Sequence, residues 1–310
     1  VSSAPLPAAA WRETPILRDS LYSLGAFRAA RLLTRVLPHG IGLRLARLIA
    51  KFCAPRNSPG FQCIRENLRV VTGLGGAQLD RLAAGNVTQF GAMLADYFYS
   101  TSDDGRWAKR LLGEWSGWEH IQAARAAGRG IILVTGHLGH WELGGLLLAQ
   151  RGVPLTIVTL EEPSTGLTRW RDEARRRAGI KTIAVGPGRE FAFVEMIKVL
   201  ERGECVAMLV DRPYMGSGSP VTFFGRPVQF SSAPALLRQH TGAAVVPAFV
   251  VRHRYGRYLS FAEPAVEMTT EPDKRAALQL NTQRIASVFE SIIRRYPDQW
   301  FNYVPAFPPL

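Results

Sequence analysis

No stretch of eighteen consecutive apolar residues occurs in these 310 residues, so no hydrophobic transmembrane helix is expected. Cysteine is scarce. Cys53, Cys63 and Cys205 form no C-x-x-C pair and no zinc-ligand spacing, which argues against a disulfide framework and a structural zinc site. Three reduced thiols suit a reducing compartment. Acidic residues are also short, 25 against 38 lysines and arginines, leaving a net charge of +13. That deficit points to an anionic partner: lipid headgroups, an acidic carrier protein, a phosphorylated cofactor or nucleic acid. Internal repeats and low-complexity tracts are missing as well. The 47% apolar and 20% charged content describes a globular chain with room for one large core or two lobes. It begins at Val1, compatible with removal of a start methionine or an upstream targeting segment.

Residues 1 to about 15 are an Ala/Pro-rich lead-in, and a helical pattern runs from Leu17 to Lys51, broken at Pro38-His-Gly40. Arg28, Arg31 and Arg35 share one face of the first segment, and Arg44, Arg47 and Lys51 repeat that spacing in the second. Leu33, Val36, Leu37, Ile41, Leu45 and Leu48 supply apolar surface away from many of these charges. Basic amphipathic helices of this kind suit an anionic membrane interface; the alternative is surface helices packed on the core. Helix signals resume from Ile64 to Tyr99, and Ser102–Gly117 reads as a connection. The rhythm then changes. Strands are expected at 131–135, 154–160, 180–185, 204–210 and 244–251, alternating with helices near 141–150, 166–178, 190–202 and 231–240. Tyr258–Phe261 adds an antiparallel strand, and a long helix near 273–295 closes the pattern. Such alternation predicts an α/β fold with a mostly parallel central sheet flanked by helices. The division expected is an N-terminal helical, membrane-associating region (1–116) and a catalytic α/β domain (117–310).

The segment with most chemistry is Gly130-Ile-Ile-Leu-Val-Thr-Gly-His-Leu-Gly-His-Trp-Glu142. It reads as a buried strand, a glycine-bounded turn and a helix start. A histidine leaving a strand end with a carboxylate in the next helical turn suits general-base chemistry. On a continuous helix the five-residue step from His137 to Glu142 would rotate by about 140°. The two side chains therefore meet only if His137 is on the loop, which Gly136 and Gly139 permit. Asp211 and Arg212 follow the apolar run Cys205–Val210. In open α/β sheets ligands gather beyond the carboxyl ends of strands, so His137 and Asp211 are candidates for one crevice. Between them, Arg171 and Arg175 share a helix face that could hold a phosphate. The turn-rich stretch Ser217–Val228 carries Phe223 and Phe224, either lining an apolar channel or pinning a loop into the core.

Taken together these pieces resemble the bacterial acyltransferases of lipid A biosynthesis, the lauroyl/myristoyl family, within the lysophospholipid acyltransferase group with its His-x4-Asp/Glu motif. The resemblance rests on Gly128–Glu142, Asp211, Phe223-Phe-Gly-Arg-Pro227, Thr241–Pro247, Tyr296-Pro-Asp-Gln-Trp300 and Asn67-Leu68, covering roughly residues 60 to 301. It implies a glycerolipid acyltransferase-like fold and O-acyl transfer. His137 would be the general base on an acceptor hydroxyl, and Glu142 would hold its imidazole in the correct tautomer. Arg175 would match the family's arginine preceding a glycine, with Arg176 and Arg177 as rivals. Asp211 would orient groups or bind the acceptor, and Phe223, Phe224 and Gly225 would contact substrate. The resemblance implies no metal and no tightly bound cofactor. The acyl donor would be an acyl carrier protein or coenzyme A thioester, and the acceptor a membrane lipid or glycolipid. The protein would then sit peripherally on the cytoplasmic face of the bacterial inner membrane, with no nucleic-acid partner.

Two departures matter. The family usually has Asn where this chain has His140, which either assists or is a bystander. The lipid A enzymes usually carry an N-terminal transmembrane helix and a basic, Trp-containing end, neither of which the sequence shows. Lipid A is therefore no better an acceptor than a lysophospholipid, a glycolipid or another amphiphilic alcohol. The competing readings are a thioesterase or lipid hydrolase using the same dyad, a metal hydrolase using His137, His140 and Glu142, and a non-catalytic basic binding module. The last draws on Trp107, Trp115 and Trp118 among Lys109 and Arg110.

Overall fold

The computed structural model describes residues 23–101, 106–160, 165–212, 218–253 and 256–308. The Ala/Pro-rich lead-in, the start of the helical pattern at Leu17 and part of the turn before Tyr258 lie outside the described residues.

Four helices come first: α1 (Leu24–Val36), α2 (His39–Cys53), α3 (Pro59–Thr72) and α4 (Gly76–Ser100). Pro38 separates α1 from α2 because proline cannot continue a helical hydrogen-bond ladder. Small residues bring α2 close to α4: a Cβ on Gly91 would sit 2.6 Å from the Ala50 Cβ. A buried ionic cluster fastens the pair to the rest of the molecule. The Asp96 carboxylate takes the His39 Nε2 at 2.6 Å, the Tyr258 hydroxyl at 2.7 Å and the Arg252 guanidinium. Asp96 is wholly buried, and its carboxyl stays below the usual range because these partners outweigh the upward push of burial.

The core of the molecule is a seven-stranded sheet in the order β1 (Leu112–Ser116), β9 (Tyr258–Ala262), β8 (Ala244–Arg252), β2 (Ile131–Thr135), β5 (Cys205–Leu209), β3 (Leu155–Leu160), β4 (Lys181–Val185). Five strands, β8 to β4, run parallel; β9 is antiparallel to β8 and parallel to β1. The central strands carry near-continuous apolar runs because helices cover both faces. One face packs against α6 (Trp118–Ala126) and α7 (Trp141–Gln150), with Leu133, Leu143, Leu155 and Val246 in the shared core. The other packs against α9 (Ala192–Glu201), α10 (Ala233–Thr241) and α11 (Lys274–Arg295), around Val134, Met208, Phe249 and Phe289.

Two expectations are corrected. The stretch Ser102–Gly117 is not merely a connection, since it holds α5 (Arg106–Leu111) and the edge strand β1. Edge position explains the poor signal: Gly113 and Glu114 are exposed, so no alternation of apolar residues marks the strand. The sheet thus begins on the N-terminal side of the 116/117 division. Ser217 lies outside the described residues; from Gly218 onward the stretch expected as a loop, Ser217–Val228, is a hairpin of β6 (Gly218–Phe223) and β7 (Arg226–Ser231). Its two-residue turn, Phe224-Gly225, holds φ of 49° and 72°, the left-handed pair that a tight right-twisted hairpin requires.

Candidate active site

The register of the central strands brings the key side chains together. On adjacent parallel strands, Thr135 of β2 pairs with Leu209 of β5. His137 and Asp211 each lie two residues beyond that pair, at the carboxyl edge of the sheet. The Asp211 Oδ1 is 2.8 Å from the imidazole Nδ1 of His137, and the carboxylate also accepts the His137 backbone N–H at 3.0 Å. Its Oδ2 accepts the Trp300 indole N–H at 3.0 Å. Gly136 leaves room for this, since a Cβ there would meet Asp211 Oδ2 at 3.1 Å and Phe289 at 3.0 Å. Burial alone would push the Asp211 carboxyl up. The His137 ring, Arg212 and the indole N–H outweigh it and hold the carboxyl at about 2. An ionised Asp211 must accept, so Nδ1 carries the imidazole proton and Nε2 is left as the basic atom.

This corrects the expected partner of His137. Glu142 does not orient the imidazole: α7 starts at Trp141, and from its first turn the Glu142 carboxylate reaches α8 (Thr165–Arg177). There Oε1 accepts from Arg175 Nη2 at 2.6 Å, with Arg171 at 4.0 Å. Burial would raise the Glu142 carboxyl, but these guanidiniums keep it below its ordinary value. Arg175 is itself buried, whereas Arg176 and Arg177 pair with Glu173 on the solvent side, so Arg175 alone of the three turns inward.

His140 is the N-cap of α7. Its Nδ1 accepts the Leu143 N–H at 3.2 Å, the bond that Asn, a favoured N-cap residue, makes with its side-chain oxygen. Fully buried, it is pushed down to about 4, chiefly by desolvation. His137, His140 and Glu142 therefore turn to three different partners. Among the described residues no group of His, Cys, Asp or Glu is arranged to hold a metal ion. Burial pushes the Cys63 and Cys205 thiols up to about 12, which removes them as nucleophiles at neutral pH.

His137, Glu142, Arg171 and Arg175 line the wall of an apolar cavity of about 1570 Å³. It reaches the surface between α1 and α2 at Leu33, Leu45 and Ile49 and passes under α7 beside Gly144 and Gly145. Phe223, Phe224 and Gly225 are not on its wall, contrary to expectation. Phe223 is core, packed on Phe230, Trp300 and Phe307, while Phe224 and Gly225 form the hairpin turn held to α11 through Glu290. Trp115 and Trp118, offered above as a stacking platform, instead have Arg151 over their rings at 4.3 and 4.7 Å.

A histidine–carboxylate pair at the wall of a large apolar cavity is the geometry of lipid chemistry, and the similarity to known proteins agrees. The sequence matches, over residues 12–307, the family described as bacterial lipid A biosynthesis acyltransferase. The chain belongs to that family. A phosphatidylinositol mannoside acyltransferase of Mycobacterium tuberculosis (strain CDC 1551 / Oshkosh) is 28% identical over 284 residues, covering 90% of this chain and 87% of the relative. One from Mycolicibacterium smegmatis is 26% identical over 275 residues, covering 88% and 87%. A lipid A biosynthesis acyltransferase of Haemophilus influenzae is 28% identical over 196 residues, covering 60% of this chain and 56% of that protein. As a lipid A biosynthesis acyltransferase family member the protein is an acyltransferase acting on a lipid or glycolipid. Two residues that sequence reasoning left without a role stand out in this acyltransferase. Trp300 was visible only as part of Pro-x-Gln-Trp; Arg212, beside Asp211 in sequence, bonds the Phe301 carbonyl at 2.7 Å and the Asn302 side chain at 2.9 Å.

Proposed function

We propose that the protein transfers a fatty acyl chain from an acyl carrier protein or coenzyme A thioester to a hydroxyl of a glycosylated phospholipid. The observation carrying this is the His137–Asp211 pair at the wall of a cavity large and apolar enough for alkyl chains. His137 Nε2 takes the proton of the acceptor hydroxyl as its oxygen attacks the thioester carbonyl carbon. Collapse of the tetrahedral intermediate breaks the C–S bond, and the same Nε2 returns the proton to the leaving thiolate. The products are an ester and a free thiol. Asp211 fixes the tautomer and stabilises the imidazolium. Negative charge on the carbonyl oxygen is favoured by the Trp141 and Glu142 N–H groups at the start of α7, the Leu143 N–H being taken by His140. The Glu142–Arg175 pair ties that helix start to α8. The acyl chain runs from there beneath α7, past Gly144 and Gly145.

No helix among the described residues is long and apolar enough to cross a membrane. Yet α1 and α2 expose Leu32, Leu33, Val36, Ile41, Leu48 and Phe52, with Phe52 at 75% and Val36 at 69%. An apolar strip flanked by arginines at the cavity mouth supports peripheral binding to an anionic bilayer, on the cytoplasmic face of the inner membrane where thioester donors are found. The relatives' names favour a mannosylated phosphatidylinositol as acceptor.

The test is label transfer from acyl-CoA or acyl carrier protein to vesicles holding mannosylated phosphatidylinositol, a lysophospholipid or a lipid A precursor. Label in the mannolipid, lost in His137→Ala, is the result expected. Label released only as free fatty acid would make the protein a thioesterase.

A further inference from the structure

The cavity is larger than one chain needs. Single-ligand sites occupy about 300–1,000 Å³, against about 1570 Å³ here. It also has walls on both faces of the sheet. Under α7 the floor is Leu133, Leu155, Ile157 and Ala248. Around the carboxyl edge of the strands it continues onto the opposite face, between β4, β5 and the start of α9, where Val185, Ala192, Met196 and Met208 form the wall.

Resting on the acyl-transfer reading, in which the donor chain lies under α7, we infer that this α9 arm holds an alkyl chain of the acceptor lipid. Three observations carry the assignment. Both arms share the carboxyl ends of β2 and β5, where Thr135, His137, Leu209 and Arg212 are on the wall, so chains in the two arms converge on the His137 imidazole. The inner wall of the α9 arm, Val185, Ala192, Phe193 and Met196, is hydrocarbon and thioether, which suits an alkyl chain, and the charged Arg189 and Glu190 stand at its exposed rim. The amide-rich pantetheine of a donor would lose its hydrogen bonds to water there without replacement. Finally, large apolar side chains are exposed beside this arm, at the end of β3 and the start of α9: Leu160 at 47%, Phe191 at 75% and Val194 at 45%. Exposed apolar residues beside the mouth give a lipid chain a path from a bilayer. The acceptor class is therefore a lipid whose own chain is drawn from the membrane during transfer, not one recognised by its headgroup alone.

The experiment is equilibrium binding of radiolabelled hexadecanol to the full chain, with the α7 arm filled by saturating S-hexadecyl-coenzyme A, a thioether that cannot react. One equivalent of hexadecanol is expected to bind beside the thioether. Met196→Trp, which fills the arm, should weaken hexadecanol about ten-fold or more, the effect of excluding two methylenes, and leave thioether affinity unchanged. Because a core substitution can unfold the protein, the surface pair Phe191→Ser/Val194→Ser is run beside it and should weaken hexadecanol in the same sense. Displacement of hexadecanol by the thioether, or its weakening by Leu33→Ser but not by the α9 substitutions, would overturn the assignment. A thioether that fails to bind would instead count against the donor reading, while the α9 variants still decide where hexadecanol sits.

Discussion

Nδ1 of His137 and Oδ1 of Asp211 lie 2.8 Å apart although 74 residues separate them in sequence. Asp211→Asn is expected to lower kcat by about 10²- to 10⁴-fold, the range for loss of a positioned general base or its tautomer. Thioester consumption should show KM little changed, because the cavity wall is left intact. A kcat within a factor of three of wild type would remove Asp211 from the mechanism.

Glu142 and Arg175 make a different prediction. Glu142→Ala leaves a buried guanidinium without its carboxylate, which should cost about 3 kcal/mol or more of stability. Glu142→Gln, which keeps an acceptor, should cost less. Thermal unfolding of both variants separates this from a catalytic role, and Glu142→Ala with an unchanged melting temperature and lost activity would reverse the assignment.

His140 predicts acid sensitivity. Its folded value, about 4, lies below the ordinary 6.5, so between those values the unfolded chain binds more protons than the folded one. Stability therefore falls as pH drops from about 6.5 to about 4, by an order of about 3 kcal/mol from this group. Asp211 acts lower: held at about 2, it contributes stability above pH 4 that is lost as pH falls toward 2. His140→Asn keeps a cap for Leu143 and should flatten the upper part of the curve. Denaturant midpoints at pH 7, 5.5 and 4.5 would reveal a missing effect at once.

Chain length is the next observable. A Cβ on Gly145 would stand 3.2 Å from the Ile157 Cδ1 beneath α7. Gly145→Leu is expected to shift donor preference toward shorter acyl chains, read from kcat/KM across eight- to eighteen-carbon acyl-CoAs, roughly two methylenes per added branch if the arm is filled end to end. An unaltered profile would place the acyl chain elsewhere.

For the membrane strip, Phe52→Ser and Val36→Ser should each weaken binding to anionic vesicles about ten-fold, the scale of withdrawing one large apolar side chain from lipid. Sedimentation with vesicles measures this, and variants that bind as wild type does would return α1 and α2 to ordinary surface helices.

Most of the α/β layer was legible in the sequence, because strands buried on both faces must be apolar runs and the helices between them must be amphipathic. The strand end at Thr135 fell where patterning placed it, and the end of β5 at Leu209 and the start of the long helix at Lys274 fell within one residue of it. Edge strand β1 and the β6–β7 hairpin did not, since neither needs an apolar run to exist. In the site, the motif drew attention to His137 and Glu142 as a pair by proximity in sequence. The strand ends already hinted that His137 and Asp211 shared a crevice, but register, a tertiary property, decided which carboxylate reaches the ring. The roles of Trp300 and Arg212 were beyond reach for the same reason: their contacts span about ninety residues.

The indole brace on Asp211 also has a consequence in time. Trp300 is 89 residues downstream of the carboxylate it holds. At synthesis rates of about 5–20 residues per second, the strands carrying His137 and Asp211 leave the ribosome some 4 to 18 seconds before their brace exists. Through that interval the growing chain holds a histidine and a carboxylate without the group that steadies them. The carboxylate is thus braced late, by a stretch of chain that lies far outside the His137–Glu142 segment.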